Sequence, residues 1–192
     1  LKAKGTVVEV VGGEAELTLC SPVFVVPRGP GRSSRKRRMV YDCSVFLNDI
    51  GGGVQPPRFR YHDLRMMLTE VEPDDWLVVE DYEACFHYIP IHPAERRLLG
   101  FRWEGRTFQW CRAPFGLRIL PMLVSTFTAI PVAVMRSAGY RAGCYIDDAW
   151  IAGRSPEEAR EAHEMYRMLA KRMGGKLKTA KTQGPRDRKS IL

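Results

Sequence analysis

Apolar and polar positions along this chain change their period several times, and the changes mark out its elements. β-Branched and apolar residues crowd 6–10 ("TVVEV") and 15–20 ("AELTLC"), which predicts two strands around the turn "GGE". "SPVFVVP" is a third such run, ended by Pro27, and "RMVYDCSVF" resumes extended chain. The basic, Gly- and Ser-rich stretch 28–38 between them reads as a loop at a hairpin tip. "GGGVQPPRF" is irregular, "YHDLRMMLTEV" has helical spacing, and "WLVVEDY" reads as a strand leading into Asp81. "LLGFRWEGRTFQW" predicts a hairpin turning at Glu104-Gly105. Residues 121–138 read as a helix, with Pro121 near its start and Gly139 just past its end; Pro131 is expected to kink or break it. "YIDDAWIA" reads as a tight hairpin turning at its two aspartates.

The clearest helix follows. Ser155 is placed as an N-cap, Pro156 takes the first helical position, and Glu158 completes a capping box. Ala162, Met165, Tyr166, Leu169 and Met173 repeat at helical spacing until Gly174-Gly175. Strands, hairpins and helices are mixed without internal repeat, so the fold class is α+β, an antiparallel sheet packed on helices.

A length of 192 residues suits one domain with a real core, and 45% hydrophobic with 27% charged residues suits a soluble globular protein. No apolar run approaches the ~18 residues needed to cross a bilayer, so no membrane partner is expected. The chain opens on Leu1 without a signal-peptide pattern, which reads as a fragment or processed chain. Five scattered cysteines without a CxxC favour a reducing, intracellular compartment over a disulfide framework or zinc site. The net charge of +8 is unevenly placed. Residues 28–38 hold six basic side chains and no acid, and residues 171–189 hold eight basic and one acidic. The remainder, which contains Asp147 and Asp148, is net acidic. A basic rim around an acidic centre suits a polyanion held outside while metal ions sit inside.

Asp147 and Asp148 lie in "GCYIDDAW", a run otherwise built for burial. Burying adjacent carboxylates is expensive unless something compensates them. A hairpin tip presenting two carboxylates is a sound way to hold Mg²⁺, which takes oxygen ligands and often shares them with substrate phosphates. A third carboxylate nearby would complete a two-metal site for in-line phosphoryl chemistry, and Asp81, closing "WLVVED", is the best candidate.

These residues carry a resemblance. "YIDD" resembles the metal-binding motif of reverse transcriptases, and neighbouring blocks resemble that family in the same order. "SPVFVVPR" and "RKRRMVYDCSVFLN" are similar to its fingers segment. "DYEACFHYIPIHPAERRLLGFRWEGRTFQWCRAPFGL" is similar to the block that opens DLxxAYxxIPI and ends LPFGL. "GGKLKTAKT" resembles GxxxNxxKS. The likeness covers roughly residues 20 to 192, and its wording is nearest to retrotransposon enzymes of the gypsy and DIRS kinds.

The resemblance implies a polymerase palm, here 76–192, and a β-rich fingers subdomain, here 1–75 with further fingers residues within 92–115. It implies that Asp81, Asp147 and Asp148 hold two Mg²⁺, that Phe86 is a sugar gate, and that Arg38 and Arg28 contact the triphosphate. Phe115 and Gly116 would lie under the incoming base, and Lys181 would protonate the leaving pyrophosphate. Arg35, Lys36, Arg37, Lys176 and Lys178 would contact nucleic acid. The implied partners are an RNA template, a DNA or RNA primer and deoxynucleoside triphosphates. The chain departs from the pattern in places. Leu120 replaces an Ala, Phe127-Thr128 falls two places late, and Lys178 stands where Asn is usual. It stops at "KSIL", where a primer-gripping segment would begin, so a thumb and an RNase H region are expected to be absent from it. Two functional readings follow. One is the RNA-directed DNA polymerase of a retroelement, in nucleus or cytoplasm. The other is a non-catalytic RNA-binding component of a large ribonucleoprotein, such as a mitochondrial ribosome, whose partners would be ribosomal or other structural RNA and neighbouring proteins.

Overall fold

The computed structural model describes residues 1–27, 37–44, 47–48, 58–61, 64–178 and 183–187. The chain forms two compact units, one of Leu1–Pro56 with Phe86–Leu120 and one of Pro57–Cys85 with Pro121–Leu192. Helices and antiparallel strands are mixed, as the α+β reading expects.

The second unit is built on strand β4 (Trp76–Asp81), which joins β7 (Arg141–Tyr145), β8 (Asp148–Gly153) and β9 (Gln183–Asp187) in the order β7-β8-β4-β9. Successive side chains on a strand face opposite ways, so a strand covered on both faces needs apolar residues at both parities. "WLVV" and "AWIA" supply them, and Leu77, Val78, Ile151 and Ala152 are buried. On the face of Val78, Glu80 and Tyr82 lies helix α3 (Pro156–Arg172). Its buried residues Ala159, Ala162, Tyr166 and Ala170 are mostly small, which lets the helix lie close to the strands. Ser155 caps it as expected, accepting the Glu158 N–H at 3.1 Å. Glu158 reaches back to the Arg154 N–H at 2.8 Å, one residue before the capping residue itself. Trp150 lies opposite Gly143 in the β7–β8 ladder, where any Cβ would meet the indole at 2.5 Å.

Helix α1 (Leu64–Glu70) precedes β4, and helix α2 (Leu120–Ser137) precedes β7. α2 runs through Pro131 and is not broken there. Losing one backbone bond to a proline costs about 3 kcal/mol. Val124, Thr128, Val132 and Met135 are buried on both sides of it, and each buried aliphatic side chain contributes about 1.5–3 kcal/mol. At 18 residues and mean hydropathy 1.3, α2 is long and apolar enough to cross a membrane by length and composition alone; one of its faces packs into this unit.

The first unit holds a sheet in the order β1-β6-β5, from β1 (Val7–Glu9), β5 (Gly100–Trp103) and β6 (Arg106–Trp110). The predicted β5–β6 hairpin turns at Glu104 and Gly105, both with positive φ. A separate hairpin pairs β2 (Val23–Pro27) with β3 (Arg37–Tyr41). Val7, Tyr41, Cys43, Leu99, Phe101, Phe108 and Trp110 make the core, with Tyr41, Phe101 and Trp110 in mutual edge or tilted contact. The strand expected over 15–20 does not form. Gly13–Glu16 is a 3-10 turn, and the N–H groups of Thr18 and Leu19 both donate to the Arg97 carbonyl instead of to a neighbouring strand.

The buried carboxylate of Asp75 fixes where β4 begins. It takes both arms of the Arg141 guanidinium at 2.5 Å, and the Glu72 N–H at 2.7 Å. Arg141 opens β7, so this pair ties two strands that are not neighbours in the sheet. Replacing Arg141 with Met would leave a buried carboxylate short of its counter-charge. The expected loss is about 3 kcal/mol of unfolding free energy, read by denaturant titration.

Candidate active site

Asp81 and Asp148 are direct cross-strand partners at the open end of the β4–β8 ladder. The alternation of β4 puts Asp81 on the face away from α3, beside Leu77 and Val79. The turn joining β7 to β8 is centred on Ile146 and Asp147, so Asp148 already belongs to β8; the expected turn at both aspartates is displaced by one residue. Ile146 has φ +54°, a conformation that costs a β-branched residue about 1–3 kcal/mol. Two hydrogen bonds hold the turn in place. The Thr128 hydroxyl, fully buried on α2, donates to the Ile146 carbonyl at 2.7 Å. The Tyr82 N–H donates to the Asp147 carbonyl at 3.0 Å. Strand end and hairpin tip are therefore locked together by backbone.

The three acids differ in surroundings. Asp81 is 8% exposed, Asp147 is half-buried and Asp148 is exposed. The Lys178 ammonium is hydrogen-bonded to Asp81 Oδ1, and the Lys178 N–H donates to the Asp81 carbonyl at 2.8 Å. Lys178, expected among the nucleic-acid contacts, thus has its charge turned onto the first acid. Lys176 is exposed. Among the described residues no three His, Cys, Asp or Glu side chains already converge as a metal cluster. The donor set is still that of a hard divalent cation: carboxylate oxygens only, from adjacent strands in fixed register.

Next to Asp81, on the opposite face, Glu80 is fully buried with its carboxylate 2.5 Å from His163 Nε2 and 3.9 Å from Arg167. Both partners lie on α3. The Tyr82 and Tyr166 hydroxyls meet at 3.0 Å on the same face.

In the first unit, the Phe86 and Phe115 rings lie 4.7 Å apart, and His87 sits edge-on to Phe115 and stacked on Trp110. Phe115 is 47% exposed, so an aromatic face is offered to solvent there. Gly116 has φ +111°, and a Cβ on it would meet the Tyr41 carbonyl at 2.9 Å, so no other residue fits this turn without strain. Asn48 fixes it from both sides, donating to the Gly116 carbonyl at 2.9 Å and accepting the Arg118 N–H at 3.0 Å. His87 Nδ1 faces the Ala113 carbonyl at 2.9 Å. A carbonyl only accepts, so Nδ1 carries the proton. Burial draws the His87 pKa below the usual histidine range, against the opposing pull of that hydrogen bond.

Arg37 is exposed on β3, and the backbone of Arg38 pairs with Val26. The side chain of Arg38 lies outside the described residues, as do Arg28, Arg35, Lys36 and Lys181 altogether. The sequence reading assigns no positioning role to Thr128, Asn48 or the Glu80–His163 pair, all of which hold the site's surroundings in place. The nearest signals were a Thr at the buried phase of α2 and an amide closing "VFLN".

Over residues 34–191 the chain matches the family model for reverse transcriptase (RNA-dependent DNA polymerase). Among curated relatives, the genome polyprotein of Petunia vein clearing virus (isolate Shepherd) is 31% identical over 101 residues, 53% of this chain and 4% of the relative. The Pro-Pol polyprotein of Simian foamy virus type 1 is 26% identical over 147 residues, 77% of this chain and 12% of the relative. The chain therefore spans a small part of these polyproteins. A foamy viral protease-reverse transcriptase dRH in complex with ds DNA superposes with TM-score 0.81 at 20% identity, covering 97% of this chain and 30% of that one. The foamy viral protease-reverse transcriptase in complex with RNA/DNA hybrid gives TM-score 0.72 at 20% identity, with coverages of 96% and 22%. These likenesses establish the fold.

Thr128→Val removes the donor that holds the strained Ile146. It is expected to cost about 1–2 kcal/mol and to speed amide exchange across residues 145–148, measured by hydrogen–deuterium exchange. A histidine whose folded pKa is depressed contributes stability that is complete above the unfolded value near ~6.5 and is lost as pH falls below it. Between pH 7 and pH 5 the wild type should therefore lose melting temperature relative to His87→Gln, followed by calorimetry in matched buffers.

Proposed function

Because this chain belongs to the reverse transcriptase (RNA-dependent DNA polymerase) family, to which residues 34–191 match, we propose that it performs RNA-templated transfer of deoxynucleotides to a primer 3′-hydroxyl for a retroelement. The observation that carries this reading is the register that sets Asp81 opposite Asp148 while the Tyr82 N–H binds the Asp147 carbonyl. It gathers three oxygen-donor residues on two adjoining strand ends, where Asp81, Asp147 and Asp148 would hold two Mg²⁺. When bound, such ions activate the attacking hydroxyl and stabilise the leaving pyrophosphate.

The remaining roles belong to the chain's own side chains. Phe86, braced by Phe115, blocks a ribose 2′-hydroxyl by bulk and so selects deoxynucleotides. Gly116, held by Asn48, keeps the turn beneath the incoming base free of a side chain. Arg38 and Arg28 clasp the triphosphate, for which a guanidinium's planar fork is suited. Lys181 gives a proton to the leaving pyrophosphate. Arg35, Lys36, Arg37 and Lys176 supply positive charge along the nucleic-acid backbone. Foamy viral relatives of this fold are solved with ds DNA and with RNA/DNA hybrid, which supports template and primer as partners here.

The ammonium on Asp81 favours a second reading: a domain of this family that binds RNA without turning over, as part of a ribonucleoprotein. Primer extension on an RNA template with Mg²⁺ separates the two. For the polymerase, Asp81→Asn and Asp148→Asn should each lower extension at least about a hundredfold while RNA binding, measured by anisotropy, is kept. Wild-type protein that binds RNA and extends nothing would decide for the second reading.

A further inference from the structure

We infer that Lys178 is a built-in competitor for the divalent cation at Asp81: its ammonium neutralises the first metal-binding acid and is displaced when metal binds. The inference rests on the metal-site reading above and adds to it a residue that sets how tightly, and from what state, the site loads.

The backbone tethers this ammonium. Residues 176–178 are laced to the end of β4: Lys178 N–H donates to the Asp81 carbonyl at 2.8 Å and Glu83 N–H to the Lys176 carbonyl at 2.7 Å. Between these two bonds, Tyr82 and Leu177 form an antiparallel bridge. With its Cα fixed beside Asp81, the Lys178 side chain meets the carboxylate at the high effective concentration of an intramolecular partner. The pair is poorly solvated, with side-chain exposures of 28% for Lys178 and 10% for Asp81. Poor solvation strengthens the attraction and makes an uncompensated Asp81 costly. An oxygen accepting an ammonium hydrogen bond offers less of its lone-pair density to a metal, and the positive charge repels the incoming ion. A lysine is suited to being displaced, because its charge is a compact point on a flexible stem that can swing aside. The Asn of the GxxxNxxKS pattern, in place of Lys178, would carry no charge to compete.

A unit charge within a few ångströms of a divalent ion lowers its affinity by roughly tenfold, even under water-like screening. The test is a titration of purified protein with Mn²⁺ alone, free of nucleotide and nucleic acid, with unbound Mn²⁺ read by electron paramagnetic resonance. Lys178→Met keeps the stem and removes the charge. It should bind Mn²⁺ roughly tenfold tighter than wild type, melt lower without metal, and gain more melting temperature on Mn²⁺ addition. Lys178→Arg should stay at or below wild-type affinity. Lys171→Met, which removes an exposed charge from the last turn of α3, should leave the affinity unchanged. If Lys178→Met does not fold, Lys178→Asn and Lys178→Gln are read in the same way. Asp148→Asn assigns the bound ion to the hairpin site. Affinity in Lys178→Met no tighter than wild type, with binding still lost in Asp148→Asn, overturns the competition and leaves the metal site standing. Equal tightening in Lys178→Arg overturns it too, because charge would not be the cause. Absence of any Mn²⁺ binding that depends on Asp148 overturns both the metal site and the competition.

Discussion

The pairing of β4 with β8 is the constraint on which everything else in the second unit depends. It runs without interruption from Trp76 opposite Gly153 to Asp81 opposite Asp148. A slip of one residue would turn Asp81 toward α3 and bring Glu80 to the other face, since strand side chains alternate. The register is held by groups other than the acids themselves. Trp150 needs the bare Gly143 across the β7–β8 ladder. Tyr82 needs the Tyr166 hydroxyl, and Glu80 needs His163, both on α3. Trp150 with Gly143 aligns β8 on β7 on the face of Asp81, while the two contacts to α3 fix which residues of β4 turn toward the helix and leave Asp81 on the other side.

Two neighbouring acids on β4 show how the chain handles buried charge. Glu80 has permanent partners, an imidazole and a guanidinium carried by a rigid helix, and its role is to bind α3 to the strand. Asp81 has an ammonium carried on a short extended segment. Both arrangements meet the same requirement, that a desolvated carboxylate be compensated. They differ in how readily the compensation can be withdrawn. A helix-borne partner locked on the closed face stays put, while a lysine at the open end of the ladder can move aside. Strain follows the same division. Ile146 takes its unfavourable backbone conformation at the open end, held by one hydroxyl from α2 and by the backbone of Tyr82.

Much of this could be read from sequence, and the parts that could not share a cause. "WLVVED" and "YIDDAW" are legible because apolar runs closing on acids contradict the ordinary sorting of charge to the surface. The cap at Ser155 is legible because capping is a local matter of four residues. The failures are non-local. Whether 15–20 becomes a strand depends on a partner, and the Thr18 and Leu19 amides find the Arg97 carbonyl, leaving Cys20 with an isolated bridge to Gly100. Pro131 stays within α2 because buried residues on both sides outweigh one lost bond, and burial is not visible in the proline itself. Lys178 meets Asp81 across a sequence separation of 97, so composition could only class it with the other basic residues near the C-terminal end.

That last contact changes how a departure from a family pattern is to be weighed. An amide beside the first acid can hydrogen-bond to it but leaves its charge in place, so the acid keeps its full attraction for a cation. A lysine at the same position removes that attraction in the absence of metal and gives the metal-free chain a stable, charge-balanced strand end. If the three acids hold metal as proposed, the exchange shifts balance from affinity toward stability of the unloaded state, without altering any of them. A site can keep all its acids and still differ in when it is ready to take a cation, because readiness is set by the neighbour that holds the acid's charge.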